Sequence, residues 1–159
     1  MKNIAILYSE YSATIDAIKY QLADYNVDCV TAPPKEGEYD LVILSDYKDD
    51  YCGNAVMCHH SLLPSFDNKE PIKQAMLEGV KVTGITIFFT KPRQIIAQYP
   101  VFINNSTHYD ELKQELRYIE QILYPLVIEK VLKNEPFEVR TLLKKTCSGN
   151  CGGCSSCNH

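Results

Sequence analysis

No apolar stretch of this chain approaches the ~20 consecutive residues that a membrane-crossing helix needs, so no membrane span is expected. The opening run Met1 to Leu7 is short, gives way at once to polar residues and lacks the apolar core of a secretory signal. Clustered positive charge is missing as well: 16 Lys and Arg stand against 20 Asp and Glu, a formal net charge of −4. Without a basic patch there is no electrostatic footprint for a nucleic acid. No internal repeat is present. These absences point to a soluble protein, expected in the cytoplasm. Its 159 residues, 45% of them hydrophobic, suffice for one core-forming unit.

Cysteine, by contrast, is plentiful. Seven are present, an odd number that suits a reducing compartment in which thiols serve metals better than bridges. Cys29, Cys52 and Cys58 are isolated and are expected to be buried small hydrophobes. Cys147, Cys151, Cys154 and Cys157 place four thiols in eleven residues separated almost wholly by Gly and Ser. Such a segment has no apolar residue to offset the entropy of ordering, so whatever its sulfurs bind together is expected to order it. Two overlapping C-x2-C loops and a fourth thiol can form the shell of a [4Fe-4S] iron-sulfur cluster or of a tetrahedral Zn ion. A linker with free thiols, a redox-active dithiol and a disulfide-laced terminus are the competing readings.

The body reads as α/β. Ile4 to Leu7 opens as a strand, and Ile15, Ile18 and Leu22 at helical spacing predict a helix over 12–22. Cys29 to Ala32, the wholly apolar Leu41 to Leu44 and Asn54 to Cys58 are predicted strands, with connections too short for full helices. Pro71 to Gly79 predicts a short helix. Val80 to Phe89 and Ile95 to Ile103 predict two strands paired through a charged turn. Thr107 with Asp110 predicts the start of a long helix that carries Leu112, Leu116, Ile119, Leu123 and Leu126 on one face and is kinked or ended by Pro125. The expected organisation is a body over 1–140 and a Cys-rich tail over 141–159.

Chemistry is expected where a strand ends at Cys58-His59-His60. Imidazoles at a strand's carboxyl end are candidates for acid–base work or for metal ligation, against the alternative of two half-exposed loop histidines. The blocks from His59 to Phe66, from Pro71 to Ala75, from Gly79 to Thr86, from Ile95 to Gln98 and from Leu123 to Pro125 occur in order and resemble the folate-dependent formyltransferases. The family includes glycinamide ribonucleotide and methionyl-tRNA formyltransferases. The resemblance runs over about 54–137 and more weakly over 2–7 and 40–44. It implies a trimmed, Rossmann-like formyltransferase fold with a cleft for 10-formyltetrahydrofolate or a related pterin, a small-molecule one-carbon carrier. Leu62, Leu63, Pro64, Phe66 and Gln98 would then line the cofactor site, and His59 would be catalytic. His60, where the family commonly has a small residue or proline, would be a neighbour.

The same resemblance marks departures. Family members stabilise an oxyanion with an Asn-x-His pair and move protons with an aspartate that precedes the Ile95-Ile96-Ala97-Gln98 block. Here Met57 stands for the asparagine, and a thioether donates no hydrogen bond. The segment Thr90-Lys91-Pro92-Arg93-Gln94 contains no carboxylate. A glycine-rich phosphate turn is replaced by Ser9-Glu10-Tyr11-Ser12-Ala13, in which Glu10 would repel a phosphate. The expectation is a formyltransferase-like protein of one-carbon metabolism without standard formyl transfer, carrying a metal or cluster in its tail. An active one-carbon transferase with an altered mechanism and a redox or regulatory module that docks a redox protein partner are the alternatives.

Overall fold

The computed structural model describes residues 1–138; the expectations for the four tail thiols lie outside the described residues. Six strands form one sheet: β1 (Asn3–Leu7), β2 (Asn26–Val30), β3 (Leu41–Leu44), β4 (Val56–His59), β5 (Val82–Phe89) and β6 (Gln94–Phe102). Their order is β2-β1-β3-β4-β5-β6. The strands from β2 to β4 pair in parallel, whereas β4–β5 and β5–β6 are antiparallel, with Thr90 to Arg93 turning the hairpin. Three helices accompany the sheet: α1 (Ala13–Gln21), α2 (Pro71–Leu77) and α3 (Tyr109–Leu132). Gly79, at φ +66°, closes α2 in the left-handed conformation that glycine adopts without penalty.

The apolar pattern of the parallel strands explains the two-sided sheet. Ile4, Ile6 and Ile43 enter the principal core with α1 and α3, while Ala5, Leu7, Val42 and Leu44 face the other side. Among the described residues no helix lies between β2 and β3 or between β3 and β4. Tyr39, Tyr47 and Tyr51 from those connections cover the second face instead. Broad rings at loop positions thus replace helical layers over a narrow sheet.

Four details differ from the periodicity-based reading. The second strand lies at Asn26–Val30 rather than Cys29–Ala32. Its register against β1 pairs Asn3 with Asn26 and Leu7 with Val30, and edge position lets polar Asn26 and Asp28 occupy a strand that hydrophobic alternation cannot flag. Cys29, on that edge, and Cys52, in the β3–β4 connection, are exposed rather than buried. Thr107 closes a turn with Asn104, so α3 starts one residue later, where the His108 N–H donates to Glu111 at 3.3 Å. The helix also runs through Pro125 to Leu132. Buried Tyr124, Val127 and Ile128 flank the proline, and their packing outweighs the ~3 kcal/mol that an interior proline costs.

Tyr124 is fully buried, and its hydroxyl lies 2.7 Å from the Val56 carbonyl and 3.0 Å from the Leu44 carbonyl. One side chain therefore pins α3 to the ends of β3 and β4. Tyr124→Phe should cost about 1–3 kcal/mol, because two buried carbonyls lose a shared donor. Equilibrium urea unfolding measures this, and an unchanged midpoint would show that the contact carries no net stability.

Candidate active site

The carboxyl ends of β3 and β4 open onto a cleft of about 750 Å³. This is the position at which α/β sheets usually receive ligands. Met57 and His59 reach its wall from one face of β4. Cys58, His60 and, from α3, Glu120 reach it from the other side, and Asp67 and Arg93 form part of the rim. The strand's alternation produces this arrangement: successive side chains point to opposite faces, and the sheet's end exposes both.

His59 Nε2 lies 3.0 Å from the Phe66 carbonyl oxygen. With the proton on Nε2 the ring donates to that carbonyl and leaves Nδ1 as a bare acceptor. Burial pushes the His59 imidazole below its ordinary pKa, opposed by the Phe66 carbonyl and the nearby Asp67 charge. Phe66 itself sits at φ 53°, a left-handed conformation uncommon outside glycine, which aims its carbonyl at the ring.

Asp67, the carboxylate beside His59, is not free. Arg93 donates to it at 2.7 Å and also stacks over the Phe88 ring at 5.1 Å. This guanidinium holds the Asp67 carboxyl below the usual carboxylate range. Arg93→Gln should therefore raise the Asp67 pKa toward its ordinary value. A carboxyl-carbon NMR titration reads the shift, and an unmoved Asp67 would show that Arg93 does not control it.

The other side of the cleft holds a second set of groups. His60 Nε2 is 2.6 Å from Glu120 Oε2. Arg117 pairs with Asp46 at 2.6 Å and approaches Glu120 at 3.9 Å. Cys58, His60 and Glu120 present ligand atoms that all lie within 4.8 Å of one another. Burial, with the Glu120 carboxylate adding to it, pushes the Cys58 thiol well up. Neither Glu120 nor Arg117 was legible as a site residue in the sequence. Glu120 does interrupt the apolar series Leu112, Leu116, Leu123, and a charge in the centre of a buried stripe was the available signal.

The structure brings His59, the expected catalytic residue, to the cleft wall, whereas none of the five residues expected to line the cofactor site lines this cleft. Leu63 is buried, and Gln98 donates to its carbonyl at 2.9 Å and to Thr86 Oγ1 at 3.0 Å. Thr86 Oγ1 in turn donates to the Ser61 carbonyl at 2.7 Å. Leu63 and Gln98 thus brace the loop that follows β4, while Phe66 meets the site through its carbonyl. Leu62 and Pro64 belong to the same loop and do not line the cleft.

Comparison with known proteins agrees with the topology. Residues 3–128 match the Formyl transferase family. Over 107 residues the chain is 31% identical to phosphoribosylglycinamide formyltransferase of Bacillus subtilis (strain 168), a stretch covering 60% of this chain and 55% of that protein. Over 81 residues it is 28% identical to methionyl-tRNA formyltransferase of Syntrophomonas wolfei, covering 48% of this chain and 26% of that one. The chain thus spans about half the length of the Bacillus subtilis relative, 55%. Phosphoribosylglycinamide formyltransferase from Bacillus Halodurans superposes with a TM-score of 0.66 at 25% identity, covering 82% of this chain and 95% of that chain. Glycinamide ribonucleotide transformylase 1 from Symbiobacterium toebii gives 0.70 at 22% identity, covering 88% and 92%, a likeness of fold. The mixed sheet is accordingly the Rossmann-like sheet of these proteins, with no helix between β2 and β4 among the described residues. Because the family match extends from β1 well into α3, and includes the strand end that carries His59, this chain belongs to the formyl transferase family.

Proposed function

We propose that the protein binds 10-formyltetrahydrofolate or a related pterin one-carbon carrier in the cleft beside His59 and transfers formyl groups poorly or not at all by the route its relatives use. The observation that carries this reading is the chemistry of the Met57–His59 face. Met57 lines the cleft where the resemblance places an amide donor, and the neighbouring carboxylate, Asp67, is held by Arg93. A thioether offers no hydrogen bond to a developing oxyanion, and loss of one such donor typically costs on the order of 10²–10³ in rate. A carboxylate whose pKa is depressed by a guanidinium is also a weak proton acceptor.

A second part of the proposal concerns 141–159. Cys147, Cys151, Cys154 and Cys157 form one four-thiolate centre, a [4Fe-4S] cluster or a zinc ion, appended to a body over 1–140. A redox protein is the partner class such a centre would serve. The support is the thiol spacing itself, within the Gly- and Ser-rich stretch from Cys147 to Cys157.

Equilibrium binding of labelled 10-formyltetrahydrofolate to anaerobically purified protein tests the first part, alongside mass spectrometry of an amine pool incubated with both. Saturable binding without formylated product supports the proposal. Absence of saturable binding removes the ligand half, and robust formylated product removes the inactive half. Metal content decides the second part: broad absorbance near ~400 nm with about four irons per chain supports a cluster, and one colourless zinc a structural site. Four freely alkylated thiols in that preparation would overturn both forms of the centre.

A further inference from the structure

We propose that Cys58, His60 and Glu120 form a second metal site, inside the body of the protein, that holds one zinc-like divalent cation with an open coordination position facing the cleft.

The donors are a thiol, an imidazole and a carboxylate, all within 4.8 Å of one another. Three protein ligands of these types with a fourth position left for water or substrate are the usual composition of a catalytic zinc shell. The donor set also selects the cation. A thiolate and an imidazole are poor ligands for magnesium or calcium, which demand oxygen, and good ones for zinc, cobalt(II) or iron(II). A thiolate, a carboxylate and a neutral imidazole around a divalent cation give zero net charge, which suits the half-buried position of the group.

The donors are held on separate, fixed elements. Cys58 belongs to β4 and His60 follows its last residue, while Glu120 projects from the core-facing side of α3 at only 5% exposure. The Tyr124 hydroxyl, one turn further along α3, ties the helix to the Val56 carbonyl at the start of β4. Distances between helix and strand are therefore set by a buried contact independent of any ion. Arg117, 3.9 Å from Glu120 and itself fixed by Asp46 at 2.6 Å, orients the carboxylate from outside the shell.

His60 and Glu120 touch at 2.6 Å. Two ligands bound to one ion at ~2.0–2.1 Å and a tetrahedral angle stand about 3.3 Å apart, so ligation needs them to part by well under ~1 Å. Rotamer adjustment supplies such a movement without displacing α3. Because all three residues also line the cleft, the remaining coordination position is open to whatever enters beside His59. The site rests on these side chains alone and stands or falls separately from the folate reading.

The test uses the full chain with Cys147→Ser, Cys151→Ser, Cys154→Ser and Cys157→Ser together, so that tail thiols cannot contribute, and Co²⁺ as the probe. Saturation at one Co²⁺ per chain with thiolate-to-cobalt charge-transfer absorption is expected, reversed by competing Zn²⁺. Adding Cys58→Ser should abolish that band. Adding Glu120→Gln should keep the band and weaken Co²⁺ binding tenfold or more. Far-UV circular dichroism verifies that each variant is folded; should either variant unfold, the band and stoichiometry of the parent and the other variant still decide. No saturable Co²⁺ binding in the parent, or a band that survives Cys58→Ser, would overturn the proposal and leave His60–Glu120 as a hydrogen-bonded structural pair.

Discussion

Met57→Asn is expected to leave formyl transfer to amines within about tenfold of the unmutated chain, although it supplies the amide that the family resemblance calls for. Groups that act as a unit in catalysis are strongly non-additive, so restoring one member recovers little while another is missing. On the proposed reading the missing member is the proton acceptor. Thr90 to Gln94 offers no carboxylate, and Asp67, whose charge acts on His59, is bonded to Arg93 at 2.7 Å and held below the usual carboxylate range. His59 has a further commitment, its Nε2 lying 3.0 Å from the Phe66 carbonyl. Product quantified by mass spectrometry at fixed enzyme and carrier concentration measures the outcome. A rise of two orders of magnitude in the single variant would mean that another group already handles the proton and that the proposed inactivity is wrong.

Gly84→Ala is expected to lower stability by about 3 kcal/mol, the upper part of the range for forcing an added methyl into a packed interior. A Cβ at this position would stand 2.0 Å from the Tyr99 carbonyl oxygen and 2.8 Å from Leu62 Cδ2. The leucine can turn aside, but the carbonyl belongs to the backbone of β6 and is fixed by the hairpin ladder, which pairs Gly84 with Pro100. The methyl must therefore push β5 and β6 apart or shift their register. Urea unfolding with a linear extrapolation gives the difference, and a loss below about 1 kcal/mol would show that the hairpin yields locally. Because Leu62 lies in the loop that leads from His59 to Phe66, the same variant should also disturb the cleft wall.

The long helix and the hairpin of β5 and β6 were legible because their signals are local. Apolar residues at Leu112, Leu116 and Leu123 recur at helical spacing, and two apolar runs flank a charged turn. The strand end at His59 was legible as well, since it falls after an apolar run at a place where α/β sheets carry ligands. The sequence by itself thus determined the α/β class and the family resemblance. Local pattern failed where tertiary contact supplied the energy. β2 carries polar residues that only pairing with β1 explains, and Pro125 stays inside α3 because its neighbours are buried on both sides. The tethering of Asp67 by Arg93 depends on a loop and a hairpin turn 26 positions apart meeting at the rim. The convergence of Cys58 and His60 on Glu120 spans 60 positions; it follows from the packing of α3 across the ends of β3 and β4, which Tyr124 fixes. Spacing along a chain reports which side chains share a face of one element. Which elements face each other, and which charges they bring together, is decided only when the core closes.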